Sequence, residues 1–258
     1  EERLQELAEY DAPEEEKKHT QAELHALQEL ILQKKGVKKH TFNGWNRSSE
    51  VLLLTLPAFR DLLAEQVTGK KKILKSGVRT IVSDFEDTMK IRTFQELLFV
   101  IHTQTEKHVL SSEPETLAAQ LAGSDLLQIL AETHKGEAPF YFRIGVSGGM
   151  ALEERSSFSR QTAAAIEKAF ARKLINSTSH YEVEIRLLQN REGGFVPLLK
   201  LYTLPDHRFD YRRYYVAASM KPTMAAGLLA LAKPYLKEHA QILDPFCGVG
   251  TLLIERRF

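Results

Sequence analysis

Cysteine occurs once in 258 residues, at Cys247, which excludes an intrachain disulfide framework and suits a reducing, cytoplasmic setting. Charge of either sign is not in excess: 35 Lys and Arg against 34 Asp and Glu leave a net +1. The chain as a whole is therefore no polycation, and any nucleic-acid surface has to be a local patch. No apolar run reaches membrane-spanning length, and the opening Glu1-Glu2-Arg3 is no signal peptide, so no membrane partner is expected. The nine prolines are scattered, no two adjacent, and no internal repeat is evident. No metal site is expected. What remains is the profile of a globular protein with ample core, 43% hydrophobic and 27% charged, long enough for one to three domains.

The most informative stretch comes near the end, from Gln241 to Glu255. Gln241-Ile242-Leu243 is a short apolar run that ends in Asp244 and turns through Pro245, Phe246, Cys247, Gly248, Val249 and Gly250. It resumes as Thr251-Leu252-Leu253-Ile254-Glu255. The pattern predicts strand, tight loop and helix, the opening of an α/β nucleotide-binding unit whose ligand sits beyond the carboxyl end of the strand. Glycine lets backbone approach a ligand with no Cβ in the way and tolerates positive φ. Asp244 at the strand end can accept charge-strengthened hydrogen bonds from an amine or a hydroxyl. The loop is no phosphate cradle: it lacks Gly-Lys-Ser/Thr, and its glycine spacing is not G-x-G-x-x-G. Cys247 reads as a small residue in a turn, since no neighbouring His or cation would activate it as a nucleophile.

Upstream, Leu4, Leu7 and Tyr10, then Leu24, Leu27, Leu30 and Ile31, sit at helical spacing and predict charged helices over residues 1–35, ending at Gly36 before a basic linker. Trp45 reads as a packing anchor. Val51–Leu56 is a buried-strand run, and Pro57 opens a short helix carrying Phe59, Leu62, Leu63 and Val67. Ile73–Val82 reads as one strand bent at Gly77, and Leu97–Ile101 as another, which together predict a small α+β module of ferredoxin-like type. Ser112, Pro114 and Glu115 form a helix start of capping-box type, with the helix ending near Gly123 and a second running from Asp125 to about His134. Phe140–Val146 is a strand, Ser157 or Ser159 starts a long helix over Arg160–Leu174, and Tyr181–Leu187 alternates as a half-buried strand that returns over Phe195–Tyr202. Asp206–Tyr215 is a polar, Arg- and Tyr-rich connector, and a helix follows Ser219-Met220-Lys221-Pro222-Thr223, ending at Pro234.

By its residues the chain resembles the THUMP-domain RNA methyltransferases that modify guanosine N2. The likeness is specific in Tyr211-Arg212-Arg213-Tyr214 with Ala218–Thr223, similar to the family's connector and motif X, together with Asp244–Thr251, similar to motif I. It is one of pattern only over Val51–Ile101 and Phe140–Leu187. The periodicity gives residues 1–45 as a helical, charged extension, on which the resemblance is silent; the resemblance implies an α+β ferredoxin-like domain over 46–110. An α/β THUMP RNA-binding domain would cover 111–205. The linker and the first part of a Rossmann-like methyltransferase domain would cover 206–258. It implies S-adenosylmethionine as cofactor, held by Ser219, Pro222, Thr223, Asp244, Pro245, Phe246, Gly248, Gly250 and Thr251. It implies structured RNA as partner, the tRNA acceptor end foremost, with Arg143, Arg160, Lys168, Arg172, Lys173, Arg212 and Arg213 as phosphate contacts.

The family's catalytic Asn/Asp-Pro-Pro-Tyr/Phe loop follows motif I, and no Pro-Pro pair is present here. The expectation is a fragment of a longer enzyme, inactive alone, with its catalytic residues beyond Phe258 and with residues after about 216 short of neighbours. Two other readings stay open: a DNA amino-methyltransferase, whose late cofactor loop would need a Pro-Pro loop upstream, and a non-catalytic RNA-binding adaptor. The oligomeric state is not legible.

Overall fold

The computed structural model describes residues 40–45, 48–213, 218–237 and 239–258, together with Pro13, Glu16, His19, Thr20 and Glu23. The helices expected over residues 1–35 lie outside the described residues.

The polypeptide is built on an eight-stranded mixed sheet in the order β3-β4-β2-β5-β10-β9-β7-β8. Four strands come early: β2 (Ser49–Leu54), β3 (Lys71–Leu74), β4 (Gly77–Val82) and β5 (Glu96–Val100). Four come later: β7 (Phe140–Ser147), β8 (Leu174–Asn176), β9 (Val183–Gln189) and β10 (Phe195–Leu201). The early set is antiparallel throughout, whereas β7 runs parallel to both β8 and β9. The two sets join where Leu198 and Leu199 of β10 pair with Val100 and Phe99 of β5. The boundary expected at residue 110 thus falls between strands of one continuous sheet. A two-stranded ribbon, β1 (Thr41–Phe42) with β6 (His134–Lys135), lies apart from it.

Alternation decides which face each side chain takes. Val51 and Leu53 of β2, Leu97 and Phe99 of β5, Ile185 and Leu187 of β9 and Leu199 of β10 point into the main core. Helices cover that face: α1 (Arg60–Gln66), α3 (Pro114–Ala122), α4 (Leu126–Thr133) and α5 (Leu152–Ala169), while α2 (Phe85–Thr88) is a single turn. Each large side chain buried there contributes on the order of 2 kcal/mol. Trp45 packs against this core, its ring 5.8 Å from that of Phe99. On the opposite face Leu52, Leu98, Val100 and Leu198 form a smaller apolar strip.

Four expectations are corrected. Residues 73–82 are not one bent strand: a turn at Lys75 and Ser76 folds them into the β3–β4 hairpin. Helix α3 is preceded by Glu113 rather than capped by Ser112, because the Ser111 hydroxyl accepts the Glu113 N–H instead and no capping box forms. The long helix α5 begins at Leu152, before either serine, with Glu153 and Glu154 in its first turn where they favour the positive end of the helix dipole. It ends at Ala169, Ala171 and Arg172 then adopt positive φ, and Leu174 opens β8 instead of closing the helix. Finally, Gln241–Asp244 is not in a strand, for no described strand lies beside it to take its backbone hydrogen bonds. The flanking helices do form, as α6 (Pro222–Ala232) and α7 (Thr251–Glu255).

Candidate functional site

Between Asp244 and Thr251 the chain makes two successive turns. One oxygen of Asp244 accepts the Phe246 N–H at 3.0 Å, closing the first. The Gly250 N–H donates to the Cys247 carbonyl at 2.8 Å, closing the second. Gly248 and Gly250 take φ of +57° and +73°, a region costly for any residue bearing a Cβ. Gly250 also precedes α7, and its carbonyl accepts the Ile254 N–H at 2.9 Å. A Cβ on Gly248 would meet nothing within 4 Å, so the glycines leave open backbone rather than tight protein packing. Pro245, Phe246, Cys247 and Gly248 are exposed, Phe246 at 93% and the preceding Leu243 at 90%. Asp244 is partly covered, and Thr251 is buried.

Helix α6 packs directly on α7, which brings the Ser219–Thr223 segment to the helix that follows the Asp244–Gly250 loop. Pro222 starts α6, where its missing N–H costs nothing, and Thr223 is buried. The Ser219 hydroxyl oxygen is inaccessible and has no hydrogen-bond partner among the described residues. Such an orphan needs an acceptor or donor to offset its desolvation. Arg212 Nη1 donates to the Met220 carbonyl at 3.1 Å and ties the connector to the start of α6. On its inner side α6 approaches the core so closely that a Cβ on Gly227 would lie 2.5 Å from the Phe59 ring. Open glycine backbone, a half-covered carboxylate and an orphaned hydroxyl are the features an amino-acid-bearing nucleoside needs, and in this respect the residues fit S-adenosylmethionine.

Sequence reasoning missed a junction beside this site. Arg92, in the loop after α2, donates from Nε and Nη2 to the two carboxylate oxygens of buried Glu255 at 2.8 Å each. The Tyr211 hydroxyl donates to the same carboxylate at 2.5 Å. Burial and that hydrogen bond push the Tyr211 hydroxyl pKa up. The guanidinium carbon of Arg92 lies 4.1 Å from the Phe258 ring centre and 4.9 Å from that of Phe209. Nothing local in the sequence announces a pair 163 positions apart.

The expected phosphate contacts separate by environment. Arg143 on β7 is committed: Nε donates to Glu184 at 2.7 Å, and Nη1 and Nη2 donate to the Tyr181 and Tyr202 hydroxyls at 2.6 Å each. Glu184 also accepts from Arg186, which reaches Glu96 on β5, and Glu96 accepts from Lys200 at 2.5 Å. Burial alone would raise the Glu96 carboxyl, but hydrogen bonds from Arg186 and Lys200 outweigh it and bring it down to about 2. Arg160 and Lys168 are exposed on α5, Lys173 is exposed before β8, and Arg213 is exposed in the connector. Arg172 is half-buried, with Nη2 inaccessible and without a partner.

A groove of about 1030 Å³ runs between the α2 region and the connector, lined by Phe42, Trp45, Phe85, Arg92, Arg208 and Phe258 among others. Among the described residues no helix is long and apolar enough to cross a membrane.

Residues 210–257 match the family model of the RMKL-like methyltransferase domain. Ribosomal RNA large subunit methyltransferase K/L of Alcanivorax borkumensis is 28% identical over 220 residues, covering 80% of this chain and 28% of that protein. The protein of the same name from Dichelobacter nodosus is 43% identical over 51 residues, 19% of this chain and 7% of that one. Among solved structures, TrmN from Thermus thermophilus superposes with a TM-score of 0.54 at 20% identity, covering 80% of this chain and 60% of that chain. SMU.472 in complex with SAH superposes with a TM-score of 0.58 at 16% identity, covering 82% of this chain and 55% of that chain. These superpositions establish a shared fold. The chain spans little more than a quarter of the length of the Alcanivorax relative it matches, 28%.

Proposed function

We propose that this chain carries the RNA-binding half and the cofactor loop of an S-adenosylmethionine-dependent RNA methyltransferase, one that modifies guanosine at N2 in tRNA or ribosomal RNA. The observation that carries the reading is the packed pair of α6 and α7, the helix that the Asp244–Thr251 loop leads into, inside the segment that matches a methyltransferase-domain model. In this reading Asp244 accepts from the methionine amine with its remaining oxygen, a bond strengthened by both charges. Gly248 and Gly250 give the cofactor backbone room, Pro245, Phe246 and Thr251 line its site, and Ser219, Pro222 and Thr223 close it from the side. The Ser219 hydroxyl would gain there the partner it lacks among the described residues. Bound S-adenosylmethionine supplies an electrophilic methyl group.

Residues 46–110 and 111–205 act in this reading as ferredoxin-like and THUMP modules that grip structured RNA and present one nucleotide to the methyltransferase domain. Folded RNA offers little readable base edge, so such a grip works through shape and phosphates. Arg160, Lys168, Lys173 and Arg213 are the exposed cations assigned to it, with half-buried Arg172 after α5 and Arg212, which also holds the Met220 carbonyl, in the connector. Arg143 contributes by holding Tyr181 and Tyr202 in place.

The test is a gel shift of the purified chain with intact tRNA, tRNA lacking its 3′ end and a ribosomal RNA fragment, with duplex DNA as competitor, alongside calorimetry with S-adenosylmethionine. Preference for one RNA over DNA, and saturable cofactor binding, are the expected results. Equal binding of duplex DNA would sink the RNA reading, and absence of cofactor binding would sink the loop assignment.

A further inference from the structure

Helix α7 is five residues long, too short to hold its shape alone, and no strand leads into its loop. Its position therefore rests on α6 and on whatever grips its other end. That end is Glu255, whose carboxylate receives three hydrogen bonds from two distant segments: two from Arg92 and one from Tyr211. The surroundings show a joint rather than a chance surface pair. Glu255 is buried, Arg92 is largely so, and Phe209 and Phe258 cover the guanidinium. The Tyr211 ring is stacked on Phe258, with centres 6.3 Å apart. Two parallel N–H···O bonds fix direction as well as distance.

Thr251 opens the helix that Glu255 closes, so a rotation at Glu255 is transmitted to Gly248 and Gly250 within about one turn of backbone. A buried carboxylate stripped of its cation cannot stay where it is without a large cost. Removing Arg92 would therefore turn Glu255 toward water and carry α7 with it.

We propose that Arg92, with Tyr211, is a positioning residue for the cofactor loop: it holds the far end of α7 so that Asp244–Gly250 stands against Ser219–Thr223. The proposal rests on the reading of that loop as a cofactor site, and it makes the loop after α2 part of the cofactor-binding machinery although it touches no cofactor. Neither Arg92 nor its loop belongs to the segment that matches the methyltransferase-domain model.

Three variants of this chain test it: Arg92→Met, Tyr211→Phe, and the exchange Arg92→Glu with Glu255→Arg. Cofactor affinity is measured by calorimetry with S-adenosylmethionine, and amide hydrogen exchange is followed over residues 243–257 and over β2, β5 and β10. Arg92→Met should weaken cofactor binding by about tenfold or more, as expected for a buried charge left unpaired. It should speed exchange in residues 243–257 while leaving the sheet amides as in wild type. Tyr211→Phe should do the same to a smaller degree, and the charge exchange should recover most of the affinity. Wild-type affinity and wild-type exchange in Arg92→Met would overturn the proposal, as would an exchange variant no better than Arg92→Met. Should Arg92→Met unfold the sheet, the milder Tyr211→Phe decides. If wild type binds no cofactor the loop assignment itself falls, and the exchange arm alone decides whether Arg92 holds α7.

Discussion

Arg143, Glu184, Arg186, Glu96 and Lys200 form a chain of alternating charge that crosses four strands on one face of the sheet. Glu96 is held down to about 2 against an ordinary value near 4.5. A carboxylate whose folded pKa lies below its unfolded one stabilises fully above the unfolded value and loses that contribution as pH falls toward the folded one. The protein should therefore lose stability between pH 4.5 and 2, and Glu96→Gln should flatten that loss in urea melts across the range. At the loop, the cofactor role proposed for Asp244 predicts that Asp244→Ala weakens S-adenosylmethionine by about 10- to 100-fold, the worth of one hydrogen bond between charged groups, with an unchanged melting temperature; calorimetry reads the first and circular dichroism the second. The alternation of Tyr181–Leu187 already marks Glu184 and Arg186 as one face of a half-buried strand. That Arg143 spends its guanidinium on that face was not legible, because strands 40 residues apart find their register only through tertiary pairing.

Elements with strong periodicity were read closely: β2, β5, β9, β10 and α6 lie within a few residues of their expected bounds. The misreadings share a cause. Ser157 and Ser159 look like caps, yet both lie inside α5, since a helix begins where the backbone turns and Ala151, in extended conformation, is the residue that turns it. Gly77 looks like a bend within a strand, whereas the two residues before it make the turn. The apolar run before Asp244 has the composition of a strand, but strands exist only in pairs. Helix α6 supplies a test at this scale. Its Gly227 admits Phe59, so Gly227→Ala should lower stability by about 1–3 kcal/mol through overpacking, seen as a lower denaturation midpoint, even though alanine is the better helix former.

For the whole molecule, near-neutral charge means that the RNA affinity proposed above would have to come from a few placed cations. Replacing Arg160 and Lys168 with alanine should reduce the slope of log affinity against log salt by about 0.7–0.9 for each phosphate no longer neutralised, whatever the RNA sequence. The same change in salt slope is not expected of Arg143→Ala, which should instead lower stability, because its charge is already neutralised within the protein.

The sheet closes where β5 meets β10, about a hundred residues later in the chain. A ribosome making this protein releases Leu97–Val100 long before Leu198 and Leu199 can pair with them. Throughout that interval the nascent chain carries an apolar strand with a bare edge, the kind of template on which neighbouring chains aggregate. Chains ended before Phe195 should accordingly sediment as aggregates, while those ended after Tyr202 should stay in the supernatant, so the last strand of the sheet is also the point at which synthesis becomes safe.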